Sequence, residues 1–402
     1  MPQRLPLLRS GHSLRLLEGS AELFPALVEA VESALREVWL ETYIFDFSAG
    51  SAEVAEALLR AAGRGVAVRV VVDGYGTPEV PPPWRERLEA AGVSWLTYAP
   101  VGSLGVLWPG SWRRLHRKLC VVDGRIGFCG GINMLDDWHD PNHGALESPR
   151  LDFAVRVTGP IVQDMRHAMA LLWQRMRAVR RLDPQALADA LLHPRHERPA
   201  PLPLPPQPVG QARAALLLRD NVRHRRHIEK AYLRAIGRAQ REIIIANAYF
   251  VPGGRLRRAL VRAARRGVSV RLLLQGRYEY FMQYYASRPV YAELLKEGIS
   301  IHEYSASFLH AKVAVFDGRT ATVGSSNLDP LSLLVAREAN ILVDDEAFAG
   351  GLRSRLLRAI ADHGREMDPQ QYGNRPWRER ALERLALVVM RAGIAVQGKR
   401  YL

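Results

Sequence analysis

The chain has 402 residues and a mass of 45.0 kDa, 48% hydrophobic and 24% charged, which excludes a disordered chain or a fibre and allows two or three domains. Lys and Arg outnumber Asp and Glu by 56 to 41, giving a formal charge of +15 and a pI near 10.2. Such a balance points to polyanions, namely nucleic acid, an anionic membrane surface or a phosphorylated substrate, with a generally Arg-rich composition as the bland alternative. Two cysteines exclude a disulfide scaffold and a metal cluster held by cysteines alone.

The N-terminal stretch MPQRLPLLRSGHSLRLLEGS lacks the continuous apolar core and cleavage site of a signal peptide. No uncharged stretch reaches the roughly 18 residues needed to span a bilayer. The chain therefore reads as soluble or peripheral, and cytoplasmic. The first predicted strand is VWLETYIF (Val38–Phe45), followed by a helical pattern, EVAEALLRAAG, and a strand in Arg64–Gly74, RGVAVRVVVDG. A further strand lies in Gly92–Tyr98. Strand, helix, strand, helix, strand predicts an α/β unit with a mostly parallel sheet.

Next comes an insertion, Ala99–Leu115, that is apolar, Gly-rich and carries Trp108 and Trp112. It reads either as a packed loop or as a flap against a bilayer, since Trp favours the membrane interface. Then His116, Lys118 and Asp123 precede Gly124, with Gly130, Gly131 and Asn133 beyond. Cys120 and Cys129 flank this turn and could face each other across a hairpin, although two buried thiols fit a reducing compartment better. The run Arg175–Arg181 is basic, and residues 199–208, PAPLPLPPQP, form a proline-rich linker.

Beyond the linker the pattern repeats. EIIIANAYF (Glu242–Phe250) matches the first strand, LRRALVRAARR the helix, Arg266–Gly276 the next strand and Gly298–Tyr304 the last. A second basic run spans Arg219–His227. His310, Lys312 and Asp317 are followed by Gly324, Ser325 and Asn327. From each His, Lys is two residues on, Asp seven, Gly fourteen and Asn seventeen. The expected domains are 1–195, a linker at 196–208, 209–365, and a basic amphipathic tail at 366–402. In that tail, Trp377–Val396 predicts a helix with Leu382, Leu385, Ala386 and Val389 at helical spacing, suited to packing on the second domain or to lying on a membrane.

Residues two apart on a strand share a face, so each His projects with its Lys while Arg117 or Ala311 points the other way. The Asp-Gly pair turns the chain, and a returning strand brings Gly and Asn back towards the His. Imidazole is a nucleophile and proton carrier near neutral pH, and Lys and Asn are donors for oxygens that bear negative charge. Two such sets across a pseudo-twofold axis would place a phosphodiester between two histidines. One would attack phosphorus while the other protonates the leaving alcohol, and the donor set needs no metal. The other histidines, such as His139, His143, His193 and His302, have no spacing that argues for a metal site.

Both sets resemble the HKD motif of the phospholipase D superfamily, and the resemblance runs over most of residues 10–365. NAYFVP (Asn247–Pro252), GSSNLDPLSLLVAREANI (Gly324–Ile341), WLETYIFD (Trp39–Asp46) and GGIN (Gly130–Asn133) resemble the bacterial cardiolipin synthases, especially the subgroup without N-terminal transmembrane helices. The resemblance implies two α/β/α sandwich domains related by a pseudo-twofold axis. It implies phosphatidyl transfer at the cytoplasmic face of the bacterial inner membrane, from one phosphatidylglycerol to another, with no cofactor and no metal.

By resemblance His116 is the nucleophile and His310 the general acid/base. Lys118, Lys312, Asn133, Asn327 and Ser325 would hold phosphate oxygens. Asp123 and Asp317 complete the catalytic motifs, more as braces than as phosphate contacts. Asp152 and Glu338 occupy family positions for a carboxylate that orients the same-site or the opposite His. The implied partner is an anionic phospholipid bilayer, with nucleic acid a minor option and no obligate protein partner evident. The alternatives are a hydrolase using the same two histidines, either a phospholipase or an endonuclease, and a membrane-bound scaffold with a retired site. Phosphatidylethanolamine or another alcohol could replace phosphatidylglycerol as donor or acceptor.

Overall fold

The computed structural model describes residues 5–100, 113–180, 209–220, 224–277, 281–329, 332, 336–373 and 375–395. β1 (Arg9–Glu18) leads through α1 (Gly19–Glu32) to β2 (Glu37–Thr42), α2 (Ala49–Gly63), β3 (Ala67–Asp73), α3 (Pro82–Ala90) and β4 (Ser94–Tyr98). The hairpin of β5 (Lys118–Val122) and β6 (Ile126–Gly130) follows. After it come the short pair β7 (His139–Asp140) and β8 (Gly144–Ala145), then β9 (Phe153–Thr158) and α4 (Ile161–Arg180).

The second half repeats this succession with β10 (Ala212–Arg219), α5 (His227–Arg238), β11 (Glu242–Asn247), α6 (Gly254–Arg265), β12 (Ser269–Gln275), α7 (Phe281–Lys296) and β13 (Ser300–Tyr304). It continues with β14 (Lys312–Phe316), β15 (Thr320–Gly324), β16 (Glu338–Asp344) and α8 (Glu346–His363). β17 (Gly364–Glu366), α9 (Pro369–Gly373) and α10 (Trp377–Ala395) complete it. The proline-rich linker and most of the Ala99–Leu115 insertion, with both of its tryptophans, lie outside the described residues.

One mixed sheet runs through both halves in the order β17-β13-β12-β11-β14-β15-β16-β10-β1-β9-β6-β5-β2-β3-β4. Read outward from the β10–β1 junction, both directions give the same succession of equivalent strands, so the sequence repeat becomes a pseudo-twofold axis. The expectation of a mostly parallel sheet is corrected. Among the described residues only β2–β3, β3–β4, β11–β12 and β12–β13 pair in parallel. The hairpins β5–β6 and β14–β15 and the strands beyond them pair antiparallel, because no crossover helix separates them.

Local sequence explains the layers. Every residue of β2 is buried, as expected for a strand covered on both faces. On α6, Leu256, Ala259, Leu260 and Ala263 are buried at helical spacing, while Arg255, Arg258 and Arg262 face outward. One apolar cluster passes through both halves under α4 and α8 and includes Val155, Trp173, Ile341 and Leu352. The opposite faces have separate clusters, one beneath α1 and α2 and the other beneath α5, α6 and α7. Leu119 pairs with Cys129 and Cys120 with Phe128, so the two thiols point to opposite faces and do not meet. Both are buried and free, and burial pushes each thiol up to about 12.

Candidate active site

Each motif hairpin is fixed at its turn. Asp123 and Gly124 have φ of 48° and 61°, and Asp317 and Gly318 have 54° and 66°, the left-handed pair that a tight hairpin needs. The Asp123 carboxylate accepts the backbone N–H groups of Leu35, Arg36 and Glu37 at 2.8–2.9 Å. Asp317 does the same for Gln240, Arg241 and Glu242. These aspartates therefore sit at the far end of β5 and β14 from the histidines and tie the hairpin to the strand entering the sheet core. These contacts fit the brace role expected of the two aspartates within the motifs.

Burial pushes the Asp317 carboxyl up, but the N–H groups of Glu242, Gln240 and Arg241 outweigh it and hold it below the usual range. Asp317→Ala is expected to cost about 2 kcal/mol. A lower melting temperature, with activity per folded molecule retained, is the outcome to check; activity lost from a fully folded variant would return Asp317 to the chemistry.

At the other end of these strands the two halves exchange carboxylates. His116 Nδ1 lies 3.1 Å from both carboxylate oxygens of Glu338, on β16 of the second half. His310 Nδ1 lies 2.7 Å from Asp152 Oδ2, which precedes β9 of the first half. The backbone crosses over as well: His116 N–H donates to the Arg337 carbonyl at 3.0 Å and His310 N–H to the Leu151 carbonyl at 2.9 Å. Of the two arrangements open from sequence, each carboxylate serves the opposite histidine. With Nδ1 engaged, Nε2 is the ring nitrogen left to each histidine for chemistry.

Lys118 Nζ donates to the His116 carbonyl at 3.0 Å, and Lys312 Nζ donates to that of His310. Both lysines are buried. Asn133 accepts from Ile44 N–H at 3.3 Å and Asn327 from Tyr249 N–H at 3.5 Å. Their side-chain carbonyls are thus occupied, and the NH2 groups remain as their donors.

Burial sets the resting charge of this cluster. It pushes Lys118 down to about 7, with Lys312 the next cause. It also lowers His116 below 6.5, partly offset by Glu338. His310 falls well below 6.5, through burial first and then Lys312, Lys118 and Arg150. Asp152 rises to about 7 by burial, against the pull of Lys312. Asp152 and His310 titrate as one pair. Lys118 and Lys312 are buried close enough to oppose each other's charge, and an anionic phosphodiester would offset that repulsion.

Ser325 is not where sequence placed it. Its Oγ is buried and donates to Glu338 Oε2 at 2.5 Å, so its one proton serves the carboxylate and is not offered to a phosphate oxygen. The equivalent position in the first half is Gly131, where a Cβ would lie 2.3 Å from Asp152 Oδ1, leaving no room for a hydroxyl.

Other contacts were missed by the sequence reading. The Tyr43 ring stands edge-on to His116 with centroids 5.1 Å apart, and Lys118 Nζ is 5.4 Å from its centre. Arg117 and Glu41 form a buried ion pair at 2.7 Å behind the site, where the second half has Ala311 and Ala246. Asp73 ties the base of the insertion, accepting Leu115 N–H at 2.7 Å, while Arg114 Nη1 reaches the Ala99 carbonyl at 3.2 Å. Of the basic runs, Arg219 is buried against the Ala336 carbonyl and Arg226 pairs with Glu229 at 2.7 Å.

The chain is similar to known proteins in sequence and in fold. Residues 27–146 and 232–359 match the domain described as "Cardiolipin synthase, PLD-like domain". Cardiolipin synthase B of Salmonella typhi is 39% identical over 370 residues, 92% of this chain and 85% of that protein. Cardiolipin synthase B of Escherichia coli (strain K12) is 38% identical over 369 residues, with the same coverage. The crystal structure of phosphatidylserine synthase from Haemophilus influenzae Rd KW20 shares the fold, with a TM-score of 0.69 at 13% identity over 99% of this chain and 97% of that one.

Proposed function

Because the chain belongs to the phospholipase D-like family of cardiolipin synthases, we propose that it joins two phosphatidylglycerol molecules into cardiolipin and glycerol through a phosphohistidine on His116. The observation that carries this reading is the pair of imidazoles, each fixed at Nδ1 by the other half's carboxylate and each beside a buried lysine. His116 Nε2 attacks phosphorus, the bond from phosphorus to the glycerol headgroup oxygen breaks, and His310 Nε2–H gives that oxygen its proton. Glycerol leaves. The hydroxyl of a second phosphatidylglycerol then gives its proton to His310 as its oxygen attacks phosphorus, breaking the P–N bond and freeing His116.

The division of roles rests on electrostatics. His310, crowded by cations, parts with a proton readily once charged, which suits the acid. His116, held by a carboxylate that Ser325 braces, is the stronger base and so the better nucleophile. Lys118, Lys312, Asn133 and Asn327 would hold the phosphate oxygens as charge shifts onto them. We read the chain as two such units, 1–195 and 209–365, joined by 196–208 and followed by 366–402. The proposed place of action is the cytoplasmic face of the bacterial inner membrane. Among the described residues no helix is long and apolar enough to cross a membrane.

Purified protein and labelled phosphatidylglycerol vesicles are expected to yield cardiolipin and glycerol. Phosphatidic acid as the main product would favour a phospholipase, and DNA cleavage a nuclease.

The pH dependence follows from the same groups. In the free enzyme His116 must be neutral to attack, so kcat/KM falls only as pH drops through its lowered value, below 6.5. His310 must carry its proton to act as the acid, and it is lowered well below 6.5 while Lys118 loses its charge only near 7, so His310 sets the basic limb in the free enzyme. A bound phosphodiester restores the proton, so the basic limb of kcat is expected about one to three pH units higher. Initial rates on a soluble short-chain phosphatidylglycerol would test this; coincident basic limbs would sink it.

A further inference from the structure

The helix α10 has two apolar sides, and the structure covers one. Ala386 and Leu387 are buried with Val251 and Ala286, and Glu383 is buried in an ion pair with Arg375. Away from this contact Leu385 and Val388 are each 59% exposed, Val389 50% and Trp377 69%. Leu382, Leu385, Val388 and Val389 form one stripe along the helix. Arg378 stands on it and Arg384 beside it, with Arg380 further round towards Leu387; all three are exposed. A helix packed on one side ordinarily turns polar residues outward; this one turns out aliphatic residues bordered by arginines.

Its place in the fold matters. Val251, under α10, follows Tyr249, whose N–H holds Asn327, so the helix lies at the same end of the sheet as the histidines. Exposed Tyr75, after β3, and Trp138, after β6, project from that end too. A second copy laid on this stripe across a twofold axis would bring arginines against arginines. An anionic bilayer offers hydrocarbon for the stripe and phosphate for the guanidiniums.

We propose that α10 is a docking helix that lies in the surface of an anionic phospholipid bilayer and seats the mouth of the site on the membrane that holds its substrate. The bilayer as source of substrate rests on the reading above, whereas docking itself is read without turnover. The test uses the full chain with vesicles of phosphatidylcholine, with or without phosphatidylglycerol, in co-sedimentation.

The triple variant Leu385→Ser, Val388→Ser, Val389→Ser and, separately, Arg378→Gln, Arg380→Gln, Arg384→Gln are each expected to weaken binding to the anionic vesicles at least tenfold. Roughly fivefold per arginine is the usual scale. Unchanged circular dichroism and unchanged turnover of a monomeric short-chain phosphatidylglycerol would show that fold and site are intact. Vesicle binding equal to the unmodified protein in both variants overturns the proposal. Light scattering that finds a dimer broken by the serine variant, with vesicle binding unchanged, overturns it in favour of self-association. Weakened vesicle binding in a protein that makes no cardiolipin would keep the docking helix and remove the activity instead.

Discussion

His116→Ala is expected to end cardiolipin formation, with a loss on the order of 10⁵–10⁶-fold, the scale seen when the nucleophile of a covalent enzyme is removed. The same variant should carry no phosphorus label after a quench with a donor labelled at phosphorus, whereas the unmodified protein should. His310→Ala is expected to behave differently. Losing the general acid costs about 10²–10⁴-fold with a glycerol leaving group. A nitrophenyl phosphodiester leaves without a proton, so release of nitrophenolate and labelling of His116 should survive. Label retained on His116→Ala and lost from His310→Ala would reverse the two roles.

Glu338→Gln should reproduce the His116 phenotype, although it lies 222 residues away in sequence. A carboxylate at Nδ1 keeps the proton there and leaves Nε2 bare for attack. The Gln amide presents an N–H to Nδ1, drives the proton to Nε2 and blanks the nucleophile; a wrong-tautomer change of this kind costs about 10⁴-fold. Asp152→Asn should instead resemble His310→Ala, with weak transfer from phosphatidylglycerol and nitrophenolate release largely kept. Both changes are close to isosteric and are expected to leave the fold intact by thermal melt. If each carboxylate variant matched the histidine of its own half, the crossed pairing would be wrong.

Much of the scaffold was legible because it is locally encoded. The buried strands, the alternation that puts His116 with Lys118, and the Asp-Gly turns depend on neighbours within a few residues. Other features depend on pairing across the sheet. Sheet direction was misread because the parallel units β2–β3–β4 and β11–β12–β13 carry the strongest sequence signal, while the antiparallel strands look the same residue by residue. Ser325 was placed among the phosphate ligands because its position in the motif says nothing of where β16 runs, and that strand supplies Glu338. Tyr43 and the Glu41–Arg117 pair have no equivalent in the second half, so the repeat gave no cue to them. For α10, periodicity identified an apolar stripe but not which part α7 would cover.

The crossed carboxylates also bear on how this chain tolerates change. Two copies of one motif suggest a spare, as if damage to either could be absorbed by the other. The pairing removes that redundancy: Asp152 answers to His310 and Glu338 to His116. A lesion in either repeat disables its partner along with itself, and the duplicated halves must be inherited as a matched set.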